Sequence, residues 1–207
     1  DLMEILEIKD LETLAKKRVP KMFFDYVNSG SWTETTYNEN VSDFQKIKFR
    51  QRVAIDMSNR TLETKMINQP VSMPVAIAPT GLTGMQRADG EILAAQAAEE
   101  FGIPFTLSTM SVCSIEAVAE KTKKPFWFQL YVMKDKKFME SLIDRAKEAK
   151  CSALVLTLDL QLLGQRHKDL RNGLSTPPKL IPKHIYQVLT RPMWLSLIHI
   201  SEPTRRL

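Results

Sequence analysis

Four short apolar segments recur along this chain, and each runs into polar residues before a stretch with helical caps and spacing. They are Met73–Pro79, Phe105–Ser108, Phe126–Val132 and Ser152–Leu158. Runs of this length, bounded by turn residues, read as strands buried on both faces, as in a parallel sheet flanked by helices. Each interval between them is long enough for a crossover helix, which is the pattern of successive right-handed βαβ units. Four such units make half of a (β/α)8 barrel, a fold that needs about 250 residues in all. An open doubly wound sheet is the alternative, although its usual glycine fingerprint is missing after the first strand.

The helices between the strands carry their own punctuation. Asp89–Glu100 reads as a helix with Asp89 as its cap and Ala94, Ala95, Ala97 and Ala98 as its close-packing residues. Ser114–Lys121 and Asp135–Ala149 follow, with Ser114 and Asp135 as caps, because short side-chain oxygens satisfy the amides that a first turn leaves without partners. Ahead of the repeats lie two short helices, Leu11–Lys17 and Lys21–Val27, with Pro20 placed to open the second. A polar connection, SWTETTYNENVSDFQ, leads to KIKFRQRVAI, whose alternation predicts a peripheral strand.

Polar groups recur where each strand should end: Thr80, then Ser108, then Gln129 and Tyr131, then Thr157 and Asp159, with Arg166 shortly after. Parallel α/β folds collect ligand-binding groups at the carboxyl ends of strands. Uncharged donors and acceptors at successive tips suit a planar, amide-rich heterocycle, whose edge alternates the two. Gly81 and Gly84 in GLTGMQ permit close backbone approach, but the loop is neither a Walker P-loop nor GxGxxG.

Composition narrows the class further. The chain is 43% hydrophobic and 26% charged, an ordinary balance for a globular protein. It has no apolar run near 20 residues of the kind a spanning helix needs, and its acidic amino terminus does not read as a signal peptide. Cys113 and Cys151 are expected to be buried free thiols in a reducing compartment, with no zinc or other metal site. The net charge of +5 is concentrated from Gln165 onward, where eight basic residues face two acidic ones, so the preceding part carries about −1. Charge carried on a tail argues against a nucleic-acid-binding body. All three histidines, His167, His184 and His199, lie in that same stretch.

Together, KMFFDYVNSG, PVAIAPTGLTGMQRADGE, TLSTMSVCSIEAVAE, FWFQLYV and LTLDLQLLGQRHKDLRNG resemble the FMN-dependent L-2-hydroxy acid dehydrogenase/oxidase family in order and spacing from about Lys21 to Leu174. Within it, GQRHKDLRNGLSTPPKL is most similar to the bacterial respiratory L-lactate dehydrogenases. The resemblance implies an α/β fold, the amino-terminal half of a (β/α)8 TIM barrel with a short helical amino-terminal cap. It implies FMN at the strand ends, with Pro79, Thr80 and Gly81 against the flavin ring and Ser108, Gln129 and Thr157 at its polar edge. It places Tyr26, Tyr131 and Arg166 at a 2-hydroxy acid substrate, and Met110 where the substrate's side chain is received. The family's histidine base, carboxylate-clamping arginines and phosphate-binding residues belong to the second half of the barrel. None of the three histidines matches that base, so the chain is expected to be an inactive fragment.

Three more expectations follow from the same resemblance. Residues 1–194 form the partial barrel domain, and 195–207, LSLIHISEPTRRL, read as a non-native tail. The basic, proline-interrupted stretch 174–194 is read either as a contact with an anionic membrane surface or as a solvated active-site loop. The intact protein is expected to be a homotetramer located in the cytoplasm or peripherally on the inner membrane's cytoplasmic face.

Overall fold

The computed structural model describes residues 4–162, 164–174 and 181–200. In chain order the elements are α1 (Ile8–Arg18), α2 (Lys21–Val27), α3 (Thr35–Ser42), β1 (Thr64–Met66), β2 (Gln69–Val71), α4 (Thr83–Gln86), α5 (Gly90–Phe101), β3 (Thr106–Leu107) and α6 (Ile115–Lys121). Then come β4 (Trp127–Tyr131), α7 (Lys136–Glu148), β5 (Ala153–Thr157), α8 (His167–Asn172), α9 (Pro182–Leu189) and α10 (Pro192–Ile200). They fall into two compact units, one of residues 54–162 and one joining residues 1–53 to 163–207.

The 54–162 unit holds the predicted βαβ repeats. Its sheet runs β3-β4-β5, all parallel, with α6 and α7 as the crossovers. The first predicted strand, Met73–Pro79, is reduced to a single parallel bridge between Ile77 and Phe105, because Met73–Pro74 and Pro79 leave little unbroken backbone for a ladder. Side chains alternate across the sheet. Leu107, Phe128 and Leu130 are at most 2% exposed and pack with Ala95, Ala98, Val118, Leu142 and Ala146 from α5, α6 and α7. Burying each leucine or phenylalanine contributes about 1.5–3 kcal/mol. On edge strand β5, Leu154 and Leu156 are about half exposed although they register with Phe128 and Leu130. Among the described residues the sheet does not close into a barrel.

Ser114 and Asp135 cap as expected, accepting from the Ala117 and Phe138 amides. Asp89 does not: its backbone is left-handed, with φ at 54°, and its side chain makes no capping bond, since a cap needs extended backbone to aim its oxygen at the first turn. The predicted strand at Lys46–Ile55 is absent as well. That stretch has no sheet partner among the described residues and leaves Phe49 and Val53 almost fully exposed. The unit instead has a β1–β2 hairpin turning through Ile67 and Asn68, both at positive φ, as a two-residue primed turn requires.

In the other unit the predicted amino-terminal helices are present, and later segments of the chain pack on them. Val19, Phe24 and Trp194 are buried together, with Phe23, Val188, Leu195 and Ile198 packed against them. Phe23 stacks on Trp194 at 5.4 Å, and the Met22 amide donates to Gln187 Oε1 at 2.9 Å. The basic stretch read as a tail therefore folds as α8, α9 and α10 against α1 and α2, because its apolar residues recur at helical spacing between the charges. The polar connection after α2 also forms a helix, α3, followed by a 3-10 turn at Asp43–Lys46. Residues 175–180 of the expected membrane-facing stretch and 201–207 of the expected non-native tail lie outside the described residues.

Candidate active site

Two clusters contain the predicted site residues, one in each unit. In the 54–162 unit the tips of β3, β4 and β5 are joined by side chains. Ser108 Oγ donates to Gln129 Oε1 at 3.4 Å, and Gln129 Nε2 donates to Thr157 Oγ1 at 2.7 Å. Gln129 registers with Val155 on β5, so its amide reaches diagonally to the next residue on the same face. The Thr109 amide also donates to Gln129 Oε1, at 3.1 Å, and fixes the oxygen end of the amide. Thr109 Oγ1 donates to the Gln129 carbonyl at 2.6 Å and accepts from the Tyr131 amide at 3.3 Å. Thr109 was not foreseen from the sequence, where it reads only as one more polar residue beyond a strand.

This array leaves particular groups available. The second amide hydrogen of Gln129 and the hydroxyl hydrogen of Thr157 have no acceptor among the described residues. Gln129 is only 1% exposed, and a buried donor without a partner is costly. Two adjacent donors at a strand tip fit the carbonyl and ring-nitrogen acceptors of an isoalloxazine edge. Pro79 and Thr80 are exposed and Gly81 half-buried on the neighbouring loop, with Thr80 Oγ1 donating to the Ala78 carbonyl at 3.4 Å. The residues present therefore fit a flavin. Tyr131 is half-buried, and Met110 is 44% exposed.

In the other unit, Tyr26 and Arg166 are brought together from positions 140 residues apart. The Arg166 guanidinium lies 4.7 Å from the centroid of the Tyr26 ring, a cation–π contact. Its Nη2 donates to the Tyr26 carbonyl and, at 2.7 Å, to Ser29 Oγ. Its Nε lies 2.9 Å from Asp169 Oδ2, one turn along at the start of α8. Burial pushes the Asp169 carboxyl up, partly offset by the neighbouring Arg166 charge. Behind them Asp25 accepts from Asn172 Nδ2 at 2.7 Å and from Lys21 Nζ. The buried His184 ring bonds through Nε2 to the Asn172 carbonyl at 2.7 Å. His184 therefore has a structural place, and His167 packs edge-on against Trp32 at 5.9 Å.

Parallel strands whose tips carry hydrogen-bonding side chains suit a cofactor-binding α/β enzyme, and the comparisons with known proteins give the class. The FMN-dependent dehydrogenase family matches residues 15–205, and the chain belongs to it. An L-lactate dehydrogenase of Acinetobacter baylyi is 46% identical over 192 residues, covering 93% of this chain and 50% of that protein. One of Acinetobacter baumannii is 47% identical over 185 residues, covering 89% and 48%. The monotopic membrane protein (S)-mandelate dehydrogenase superposes with a TM-score of 0.86 at 34% identity, covering 96% of this chain and 53% of that one. Mandelate oxidase gives 0.75 at 32% identity, covering 84% and 50%. The chain thus spans about half the length of the relatives it matches, and its fold is half of their barrel.

Proposed function

We propose that this chain forms the flavin-edge half of an enzyme that oxidises an L-2-hydroxy acid, L-lactate above all, to the 2-oxo acid. The observation that carries the proposal is the Ser108–Gln129–Thr157 row, which presents two adjacent donors without protein acceptors. FMN, when bound, supplies the electron-pair acceptor. The chain's residues do the positioning. Gln129 and Thr157 would donate to the flavin's polar edge, and the backbone at Pro79–Gly81 would lie against its ring. The family resemblance assigns the Tyr26 and Tyr131 hydroxyls to the substrate's carboxylate and hydroxyl, and Arg166 to the negative charge that would develop there. The level of identity to L-lactate dehydrogenases supports lactate, and the flexible Met110 thioether suits a small methyl group.

Titrating the chain with FMN and following quenching of flavin fluorescence tests the first half of this reading. Binding is expected, without bleaching when L-lactate is added to this chain. A chain of the relatives' full length should bleach with L-lactate faster than with glycolate or mandelate. Failure of that longer chain to bleach with any 2-hydroxy acid would refute the enzyme assignment and leave a non-catalytic flavin-binding half-barrel. Lack of quenching by this chain would refute the flavin site.

The reading extends to a membrane surface. Ile185, Tyr186, Leu189 and Met193 are each more than half exposed on α9 and α10, close to Lys183 and Arg191. An amphipathic helix with basic neighbours suits an anionic bilayer interface, and the mandelate dehydrogenase neighbour is described as monotopic. No helix among the described residues is long and apolar enough to cross a membrane. Co-sedimentation with anionic vesicles that is lost with neutral ones is the expected result. Assembly of the intact protein as a homotetramer is supported by the family resemblance.

A further inference from the structure

Glu91, the second residue of α5, is 1% exposed, although glutamate is almost never fully buried unless paired. No basic side chain pairs with it among the described residues. Its Oε1 instead accepts from two backbone amides, Gly84 at 3.0 Å and Val112 at 2.9 Å. The Gly84 amide belongs to the short helix α4, which ends the segment that follows the Ile77 bridge and carries Pro79, Thr80 and Gly81, while the Val112 amide belongs to the loop that follows β3 and carries Ser108 and Met110. The Leu82 amide donates to the Met110 carbonyl at 2.9 Å, so the two segments also bond to each other directly. They approach so closely that a Cβ on Gly84 would lie 2.6 Å from the Val112 Cβ. Glu91 Oε2 is buried with no hydrogen bond of normal geometry among the described residues, and a polar neighbour is the Cys113 thiol, whose proton burial and then the nearby Glu91 help to retain. An acid kept in that state implies that its other oxygen does something the fold needs.

We infer that Glu91 is a positioning residue for the flavin site: one carboxylate oxygen locks the two segments in register and so sets the spacing between the Pro79–Gly81 backbone and Ser108. This rests on the FMN reading given above. Glu91 touches neither cofactor nor substrate, and its effect passes through the Gly84 and Val112 amides. Two backbone donors converge on one side-chain oxygen, and the site's low exposure keeps water from replacing those bonds.

The test uses the full chain and two readouts, FMN fluorescence quenching and hydrogen exchange of individual amides. In Glu91→Asp the side chain is one methylene shorter and cannot reach both segments. Gly84 and Val112 should lose exchange protection together by tenfold or more, and FMN should bind at least tenfold more weakly, while Phe128 and Leu130 in β4 stay protected. Glu91→Gln, which keeps the acceptor, should restore both readouts to within threefold of the wild type. Independent exchange of the two amides, or unchanged FMN affinity with both deprotected, would overturn the positioning role. If Glu91→Asp deprotects Phe128 and Leu130 as well, Val112→Pro decides instead, since it removes one donor and leaves Glu91 in place. It should deprotect Gly84 and weaken FMN tenfold, and unchanged affinity overturns the role. A wild-type chain that binds no FMN sinks the flavin reading and this role together, whereas equal binding by wild type and all variants sinks this role alone.

Discussion

Gln129 Nε2 donates to Thr157 Oγ1 at 2.7 Å, across two neighbouring parallel strands whose register pairs Gln129 with Val155. This diagonal bond ties the tip of β4 to that of β5. It also orients the amide so that its oxygen serves Ser108 and Thr109. Replacing Gln129 by leucine keeps the volume but strands those donors in a buried place. A loss of about 1–3 kcal/mol of stability is expected, with FMN quenching abolished at concentrations that saturate the wild type. Thr157→Val should weaken FMN while changing stability less, because Thr157 is only half-buried. Denaturant unfolding beside FMN titration separates the two effects.

Arg166 and Asp169 form a second coupled pair, at 2.9 Å. Arg166→Met leaves a largely buried carboxylate without its cation, and a loss of about 1–3 kcal/mol is expected. Adding Asp169→Asn should recover part of that loss, with a coupling energy of about 0.5–3 kcal/mol in the double-mutant cycle. Additive single losses would show that the two side chains do not interact. Arg166→Lys keeps the charge but not the planar fork that puts Nη2 on Tyr26 and Ser29 while Nε faces Asp169, so it should behave more like Met than like the wild type.

The Glu116–Arg145 pair ties α6 to α7 through two bonds, at 2.6 and 2.8 Å. Arg145 beside it holds the Glu116 carboxyl down to about 2. A folded value below the unfolded one means that the stabilisation is present above pH of about 4.3 and lost as pH falls toward 2. Both side chains are more than a third exposed, so solvent screening limits the contribution to under about 1 kcal/mol. Glu116→Gln should therefore lower stability slightly at pH 7 and by a smaller amount at pH 2, as read by urea unfolding at the two pH values. Asp169 has the opposite sign. Its raised folded value favours the fold below the ordinary aspartate range, and that gain is lost as pH rises through the folded value.

The cysteines give a simple check on packing. Burial, with Glu91 next in effect, pushes the Cys113 thiol up to about 12, and burial pushes Cys151 to about 11. Since the thiolate is the reactive form, neither should react with a thiol reagent at pH 8 in the native chain. Both should react at once in denaturant. Rapid native labelling of Cys113 would show that the core around α5 and α6 is open.

Local pattern alone carried the repeat of strands and crossover helices, the Ser114 and Asp135 caps, and the row of polar tips at Ser108, Gln129 and Thr157. Short continuous apolar runs bounded by turn residues, and short capping oxygens, act over a few residues, and these are effects that a sequence displays directly. Other features depend on partners far along the chain. Lys46–Ile55 alternates like a strand, yet among the described residues nothing pairs with it, whereas Thr64–Val71 pairs with itself through the Ile67–Asn68 turn. Burial of Glu91 beneath two segments, the stacking of Arg166 on Tyr26, and the folding of the basic carboxyl-terminal stretch onto α2 were likewise decided only in three dimensions. Each joins groups whose separation in sequence says nothing of their separation in space. The free energy of an ion pair or a buried carboxylate is set by the burial and partners around it, and only the tertiary structure supplies these.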